Sequence, residues 1–511
     1  MARLMPCTDR LPYALYRAGQ VRMLDACAIE RFGIPGETLM ERAGTALWRL
    51  IQDRWPQAGR LTILAGPGNN GGDGYVVARL AHRAGRQVRL VRLGDHSRLS
   101  GAAATAAAAY AEAGGRVATW PAWPDASDLI LDALLGTGLT RAVTGDMAAA
   151  IRRVNQSRAP VLAVDIPSGL SADTGQILGD AIHATLTLSF IGLKQGLFTG
   201  DGPDCVGDVR FDALEVPAAV YASTVAAARR TDWPKEASRI PPRPRSAHKG
   251  HCGHVLVVGG APGMSGAARL CGEAALRTGA GLVRVATHPE HAALLNLTRP
   301  ELMVAAISTP DQLAPLLEQA TVVALGPGLG RDPWGRALFE HVLQAEQSGP
   351  RPLVLDADAL NLLAEQPGRR DNWILTPHPG EAARLLACTT ADIAQDRFAA
   401  ATQLQQGYGG TVVLKGAGTL ITSSGQPGPA LCSQGNPGMA SGGMGDALTG
   451  IIGALLAQGL DLEQAASAGV CLHAAAADWA ARKGERGLLA SDLIAALRRQ
   501  WRRQKTGESR R

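Results

Sequence analysis

Short apolar blocks rich in Val, Ile and Leu recur along the chain, and each is followed by a stretch in which apolar residues return every three or four positions. That alternation of buried strands and amphipathic helices predicts a mostly parallel α/β sheet. In the first half, two helical patterns (Gln20–Phe32 and Gly36–Gln52) precede the strand LTILAG at Leu61–Gly66. A helix over about Asp73–Ala84, the strand QVRLVRL and an Ala-rich helix over about Gly101–Ala113 follow. Next come DLILDALLG, a helix around Thr144–Gln156 and the strand VLAVDIPSG, and the β-rich pieces ATLTLSF and DVRFDALEV close this half.

The pattern weakens from Val216 to Gly250, where RIPPRPRSAHKG is too rich in Pro and charge for any core, and the linker is placed there. The alternation then restarts. HVLVVGG, LVRVAT, TVVALGPG, PLVLDADAL, WILTPHPGE and TVVLKGAGT read as strands, each with a helical pattern behind it. Helices are expected after Asp446, around Asp461–Arg482 and near Ala490–Gln500. The reading is two α/β domains, residues 1–235 and 236–511, with a common architecture and no visible sequence repeat.

A length of 511 residues fits two or three cores, and 46% hydrophobic residues supply ample core material. No apolar run approaches the roughly 20 residues of a membrane span, and MARLMPCTDRLPYALY lacks the apolar block of a signal peptide, so a cytoplasmic protein is expected. The net charge of +6 is mild, and basic residues cluster only at Arg239–Arg245 and Arg498–Arg511. With aromatics at 4%, no nucleic-acid surface is expected, and the dispersed charge suits an anionic small molecule. The eight cysteines include no CxxC pair and no zinc spacing, which predicts buried thiols in a reducing compartment.

Ligands of open parallel sheets sit beyond the carboxyl ends of strands. Three such ends are chemically loaded in the first half: the loop AGPGNNGGDG (Ala65–Gly74), Asp132 with LLGTGLTRAV behind it, and DIPSG (Asp165–Gly169). The first does not match GxGxxG, so a dinucleotide-binding Rossmann fold is a weak alternative. Asn70, Asp132 and Ser168 offer only oxygen atoms and one negative charge, which suits a hard, monovalent cation. Each carboxylate has an alternative as a plain loop cap, but three loaded ends in one sheet favour a site.

NNGGDG, DALLGTGL, DIPSG and FIGLKQGLFTG, in this order and spacing, resemble the NAD(P)H-hydrate epimerase family over roughly residues 15–215. The resemblance implies a Rossmann-like α/β/α sandwich. In it Asn69, Asn70, Gly71, Gly72 and Asp73, with Gly136, Thr137, Gly138, Leu139, Thr140, Arg141 and Ala142, contact a hydrated dinucleotide. It further implies that Asn70, Asp132 and Ser168 hold K+, that Asp165 is the catalytic group at the nicotinamide end, and that Lys194 lies close by.

In the second half, GGAPGMSGAARL leaves room for a ligand near Ala267, and Gly328 in GPGLGR lets one approach the backbone. TPHPGE presents His378 and Glu381 on a Pro-braced turn, where a lone His serves either as a structural hydrogen-bonder or as a contact. KGAGT (Lys415, Gly416, Ala417, Gly418, Thr419) ends a strand with backbone N–H groups and a lysine facing phosphates. In NPGMASGGMGDALTG, glycines run up to Asp446 ahead of a helix, so the stretch is either a phosphate cradle with Asp446 beside it or a loop that Asp446 caps.

GAPGMSGAA, GPGLG, DADALN, TPHPGE, KGAGT and GGMGD together resemble the ribokinase-like superfamily. Within it they are similar to the ADP- or ATP-dependent NAD(P)H-hydrate dehydratases, over roughly residues 240–500. By that resemblance Ala267, Gly328 and His378 contact the hydrated dinucleotide, Lys415–Thr419 and Gly445 hold ADP or ATP, and Asp446 is the catalytic base touching the substrate. Mg2+ on the nucleotide phosphates is expected, with Asp356 and Glu381 as candidate ligands. Met444 departs from the Ala, Thr or Ser common before the last glycine, but its backbone N–H is what matters. The alternative is a ribokinase-like small-molecule kinase fused to a non-catalytic binding module. A homo-oligomer is expected, as is usual for large α/β enzymes of this kind.

Overall fold

The computed structural model describes residues 11–124, 126–345 and 351–502. The chain divides into two compact units, one ending at Arg229 and the other beginning at Arg230.

The first unit holds a seven-stranded, all-parallel sheet. Its strands are β1 (Arg60–Ala65), β2 (Gln87–Arg92), β3 (Val117–Thr119), β4 (Leu129–Ala133), β5 (Val161–Val164), β6 (Leu186–Phe190) and β7 (Asp208–Asp212), in the spatial order 3-2-1-4-5-6-7. Register is fixed by apolar rows such as Leu90–Ile63–Leu131, buried by helices on both faces. The order reverses between β1 and β4, so the crevice beyond Ala65 and Ala133 is where ligands of such sheets sit. Around the sheet pack α1 (Ala18–Glu30), α2 (Gly36–Arg54), α3 (Asn69–Arg83), α4 (Gly101–Glu112) and α5 (Gly145–Asn155).

Here the structure corrects the sequence reading. NNGGDG is not a loop: α3 already begins at Asn69, capped by Gly68. Its glycines serve close packing. A Cβ on Gly71 would come 2.0 Å from the Gly66 carbonyl oxygen, one on Gly72 2.6 Å from the Met40 sulfur, and one on Gly74 2.9 Å from Ala133. Sequence density of glycine thus marked a helix pressed onto the sheet and onto α2.

The second unit contains nine strands: β8 (His254–Val258), β9 (Leu282–Thr287), β10 (Met303–Ala306), β11 (Val322–Leu325), β12 (Leu353–Leu355), β13 (Trp373–Leu375), β14 (Thr411–Leu414), β15 (Thr419–Ser423) and β16 (Ala430–Cys432). They run in the order 16-15-14-13-12-11-8-9-10. All pairs are parallel except the last hairpins, β14–β15 and β15–β16. No helix follows TVVLKGAGT; the β-branched run TLITS folds straight back on β14, which turns KGAG into a tight hairpin corner. The main helices are α6 (Ser265–Thr278), α7 (Pro333–Ala345), α8 (Asp358–Glu365), α9 (Pro379–Leu385), α10 (Arg397–Tyr408), α11 (Met444–Ala457), α12 (Leu462–Ala480) and α13 (Ala490–Arg502).

Helix α11 is apolar on nearly every side because it lies buried between the sheet and its neighbours α6 and α12. At its crossing with α6 a Cβ on Gly450 would stand 2.0 Å from the Cys271 carbonyl oxygen. Gly450→Ala is therefore expected to cost about 1–3 kcal/mol by overpacking, visible as a lower thermal midpoint; an unchanged midpoint would mean the crossing can open freely.

Among the described residues no helix is long and apolar enough to cross a membrane. The seven described cysteines are free thiols, six of them buried, and Cys7 lies outside the described residues.

Candidate active sites

In the first unit, β4 carries Asp132 into the core with no exposure at all. Its carboxylate accepts from the Ser168 hydroxyl (2.6 Å), the Ser168 backbone N–H (2.8 Å) and the Leu134 N–H (3.3 Å). The Leu135 carbonyl closes the cluster, 3.2 Å from both the Ser168 Oγ and the Asn70 Nδ2. Burial pushes Asp132 up to about 6, against the opposing hydrogen bonds from Ser168. Four oxygen-bearing groups and one formal charge meet here, with no imidazole or thiol among them.

Asp165 follows β5 in a left-handed conformation (φ 67°), with its N–H bonded to Leu188 O at 2.8 Å. Its carboxylate accepts from the Phe190 N–H (3.0 Å) and from the ammonium of Lys194, and its side chain is 17% exposed. Lys194 is fully buried and also donates to Ser189 Oγ (3.2 Å) and Phe190 O (3.1 Å). Asp73, on α3, belongs to the same group, held well above the usual carboxylate range by burial and then by the charges of Asp165 and Asp25.

Asp25 is a residue the motifs did not identify. Burial raises it to about 6, with Lys194 lowering and Asp165 raising it. It comes from α1, whose approach is fixed by a parallel bridge from Tyr16 to Lys194. The only sequence signal for it is an acid interrupting an apolar helical face. Gly136 packs against Asn70, while Gly138, Thr140, Arg141 and Ala142 form an exposed strip beside it.

In the second unit, neighbouring strands deliver one charged cluster. Asp356 follows β12, Glu381 lies in α9 behind β13, and Lys415 follows β14. Lys415 Nζ lies 2.7 Å from Asp356 Oδ1 and 3.8 Å from Glu381 Oε2, and Thr449 on α11 donates to Asp356 Oδ2 at 2.8 Å. Burial opposes charge on Asp356, but the Lys415 ammonium and hydrogen bonds from Lys415, Thr449 and Thr376 hold it below its ordinary value. Burial likewise resists the Lys415 ammonium, and the two carboxylates raise it nonetheless. Glu381 is pushed up to about 7 by burial, with Lys415 pulling the other way.

His378 is the N-cap of α9. Its Nδ1 accepts from the backbone N–H groups of Gly380 (2.9 Å) and Glu381 (3.3 Å), and the His378 backbone N–H donates to Glu381 Oε2 at 2.8 Å. The imidazole is therefore neutral with its proton on Nε2, consistent with the lowering that burial and then Lys415 impose.

The glycine stretch differs from the sequence reading in one respect. Gly443, at φ 88°, caps α11, and Asp446 sits inside the first turn with no capping hydrogen bond. The reversal needs a glycine, since a Cβ there would press on Leu270 at 2.5 Å. Asp446 is thus released from structural duty. Burial and the Asp356 charge raise it to about 6, partly offset by Lys415. A Cβ on Gly445 would lie 3.2 Å from Lys415 Nζ, which joins the helix N-terminus to the KGAGT corner. Gly328 meets Ala267 across the β8–β11 switch, and Gly330 N–H donates to Asp358 Oδ2 at 2.9 Å. Thr449 went unread in the sequence, although its i+3 spacing from Asp446 places both on one face of α11.

A family model described as YjeF-related protein N-terminus matches residues 36–196, and one described as NAD(P)H-hydrate dehydratase matches residues 255–499. The chain is 47% identical over 486 residues to the bifunctional NAD(P)H-hydrate repair enzyme of Coxiella burnetii, covering 95% of this chain and 98% of that one. It is 46% identical over 491 residues to the enzyme of the same description from Escherichia coli, covering 96% and 94%. A crystal structure of a ribokinase-like superfamily protein from Enterococcus faecalis is similar to it at 30% identity and a TM-score of 0.51, covering 54% of this chain and 96% of that one.

Proposed function

The chain belongs to the family of bifunctional NAD(P)H-hydrate repair enzymes, and on that premise we propose which residues carry each reaction. The protein interconverts the R and S forms of hydrated NAD(P)H and dehydrates the S form to NAD(P)H at the expense of ADP or ATP. We assign the isomerase reaction to residues 1–235 and the lyase reaction to residues 236–511. The observation that carries this is the pairing of two acidic centres, Asp165 beside a buried lysine and Asp446 at a glycine-rich helix N-terminus.

The hydrated ring bears a hydroxyl on C6 next to the ring nitrogen, so that carbon is a hemiaminal. Asp165 moves the proton that opens it, or that lets hydroxide leave and return on the other face. Asn69–Asp73 and Gly136–Ala142 bind the dinucleotide, with the ion pair from Lys194 holding the Asp165 carboxylate in place. Asn70, Asp132, Ser168 and the Leu135 carbonyl would hold K+, which would supply positive charge to the site. Exchanging K+ for tetramethylammonium is expected to slow epimerisation at least several-fold and to leave dehydration alone. Because burial puts Asp132 near 6, protons displace the cation below that pH, and its apparent affinity weakens as pH falls through about 6. Asp132→Asn should abolish the response; a K+ effect that persists in it would place the cation elsewhere.

In the second unit Asp446 takes the proton of the C6 hydroxyl, whose oxygen attacks the terminal phosphoryl group of the nucleotide and displaces AMP from ADP, or ADP from ATP. The backbone N–H groups at Gly445 and the corner Lys415–Thr419 stabilise the transferring charge. Ring-nitrogen electrons then expel phosphate, and loss of a C5 proton restores the nicotinamide double bond. Ala267, Gly328 and His378 line the dinucleotide side. Mg2+ on the phosphates supplies further neutralisation of that charge. Asp356 does not fit as its direct ligand, since Lys415 and Thr449 already engage its two oxygens. The base form of Asp446 is the active one, so dehydratase kcat/KM is expected to fall as pH drops through about 6; a rate flat from pH 5 to 8 would contradict the assignment. A cytoplasmic homo-oligomer remains the expected form.

Incubation of the protein with hydrated NADH and Mg-ADP or Mg-ATP distinguishes this reading from a small-molecule kinase. Only a dehydratase restores dihydronicotinamide absorbance.

A further inference from the structure

One cation packed against the Lys415–Thr419 corner was singled out by no motif. Arg397 is the first residue of α10 and is only 6% exposed. Burying a guanidinium is costly, and a positive charge at a helix N-terminus runs against the helix dipole, so helix packing alone does not account for it. Burial pulls it down to about 10, which leaves it charged at neutral pH.

Its Nη2 reaches three carbonyl oxygens of the β14–β15 corner: Leu414 (3.4 Å), Lys415 (3.3 Å) and Gly418 (3.5 Å). Gly416, between them, is at φ 137°, and a Cβ there would stand 2.8 Å from Arg397 Nη1. Only glycine lets the corner close onto the cation. The Lys415–Gly416 peptide is trans, so with its carbonyl turned to the guanidinium its N–H points the opposite way. The Arg397 side chain thus gives the Lys415–Gly416 peptide a polarity, with its carbonyl inward, its N–H outward and a fixed positive charge behind.

We propose that Arg397 is a positioning residue for the phosphates of the adenine nucleotide: it turns the Lys415 and Gly418 carbonyls inward and presents the Gly416 N–H, with the Lys415 ammonium, to the bound anion. This rests on the reading that Lys415–Thr419 hold the nucleotide. Arg397 acts through the backbone and through its field, without touching the nucleotide.

The test is calorimetric titration of Mg-ADP and Mg-ATP into the full-length protein and its Arg397→Gln, Arg397→Lys and Lys415→Ala variants. R/S interconversion in the same samples and the thermal midpoint serve as controls. Arg397→Gln is expected to weaken both nucleotides about tenfold, the order of a lost charge-assisted contact, while KM for the hydrated dinucleotide and the epimerisation rate stay at wild-type values. Arg397→Lys should recover part of the loss, because a point charge replaces the charge but not the fork. Wild-type nucleotide affinity in Arg397→Gln, or an equal rise in the dinucleotide KM, overturns the proposal. Should Arg397→Gln fail to fold, Arg397→Lys decides: weakened nucleotide with unchanged dinucleotide KM supports it, and unchanged nucleotide affinity overturns it. If Lys415→Ala binds nucleotide as well as wild type, it is the underlying reading of the corner that falls.

Discussion

Asp446→Ala is expected to remove dehydratase turnover, by about 10²–10⁴-fold as for loss of a positioned general base, with Mg-ADP and Mg-ATP still bound. The structure separates these two effects. Gly443, and not Asp446, caps α11, so truncating the carboxylate leaves the helix N-terminus and its phosphate-facing N–H groups in place. His473, buried on α12, donates from Nε2 to the Met444 carbonyl at 3.0 Å and holds the first turn independently. Removing a carboxylate from beside Asp356 and Lys415 also relieves repulsion of the incoming phosphates, so nucleotide affinity should hold or rise slightly. The measurement is kcat for hydrated NADH alongside calorimetric nucleotide binding. Loss of both together would return Asp446 to a structural role.

Asp165→Asn is expected to stop R/S interconversion. The asparagine keeps the shape and can still accept the Phe190 N–H, but it cannot exchange a proton at neutral pH. The substitution also strips the buried Lys194 of its ion pair, and breaking such a pair typically costs about 3–5 kcal/mol. A lower thermal midpoint is therefore expected along with the lost activity. The double variant Asp165→Asn/Lys194→Met separates the effects: it should regain much of the stability and none of the epimerisation. Recovery of activity in the double variant would show that the carboxylate served only to neutralise the lysine.

Much of this was legible because parallel α/β sheets write their sites at strand ends. Asp132, Asp165, Asp356 and Lys415 each stand at or just past the end of an apolar run, and the fold brings them where that position implies. What escaped the sequence came from elsewhere. The glycines of NNGGDG looked like a loop, yet they lie in the first turns of α3, where the missing Cβ lets the helix pack closely on the sheet and on α2. Asp25 was not legible because it reaches its site from a helix remote in sequence, and Arg397 because it acts from the first residue of α10, the helix just before β14, outside any strand-end motif. His378 was ambiguous on chemistry alone; its Nδ1 proves to be spent on capping α9, and its Nε2 lies 3.3 Å from Glu381 Oε1. Asp446 changed most, since the residue that looked like a helix cap is the one acid in that turn without a capping duty.

The central claim is that one chain drains both epimers through a single nucleotide-dependent exit. The direct measurement supplies the full-length protein with a mixed R/S preparation of hydrated NADH, K+ and Mg-ADP or Mg-ATP, and follows dihydronicotinamide absorbance to completion. The account predicts recovery of the whole mixture by the wild type, recovery of only the S fraction by Asp165→Asn, and none by Asp446→Ala. Full recovery by Asp165→Asn at the wild-type rate, or a wild-type protein that halts at the S fraction, would contradict it.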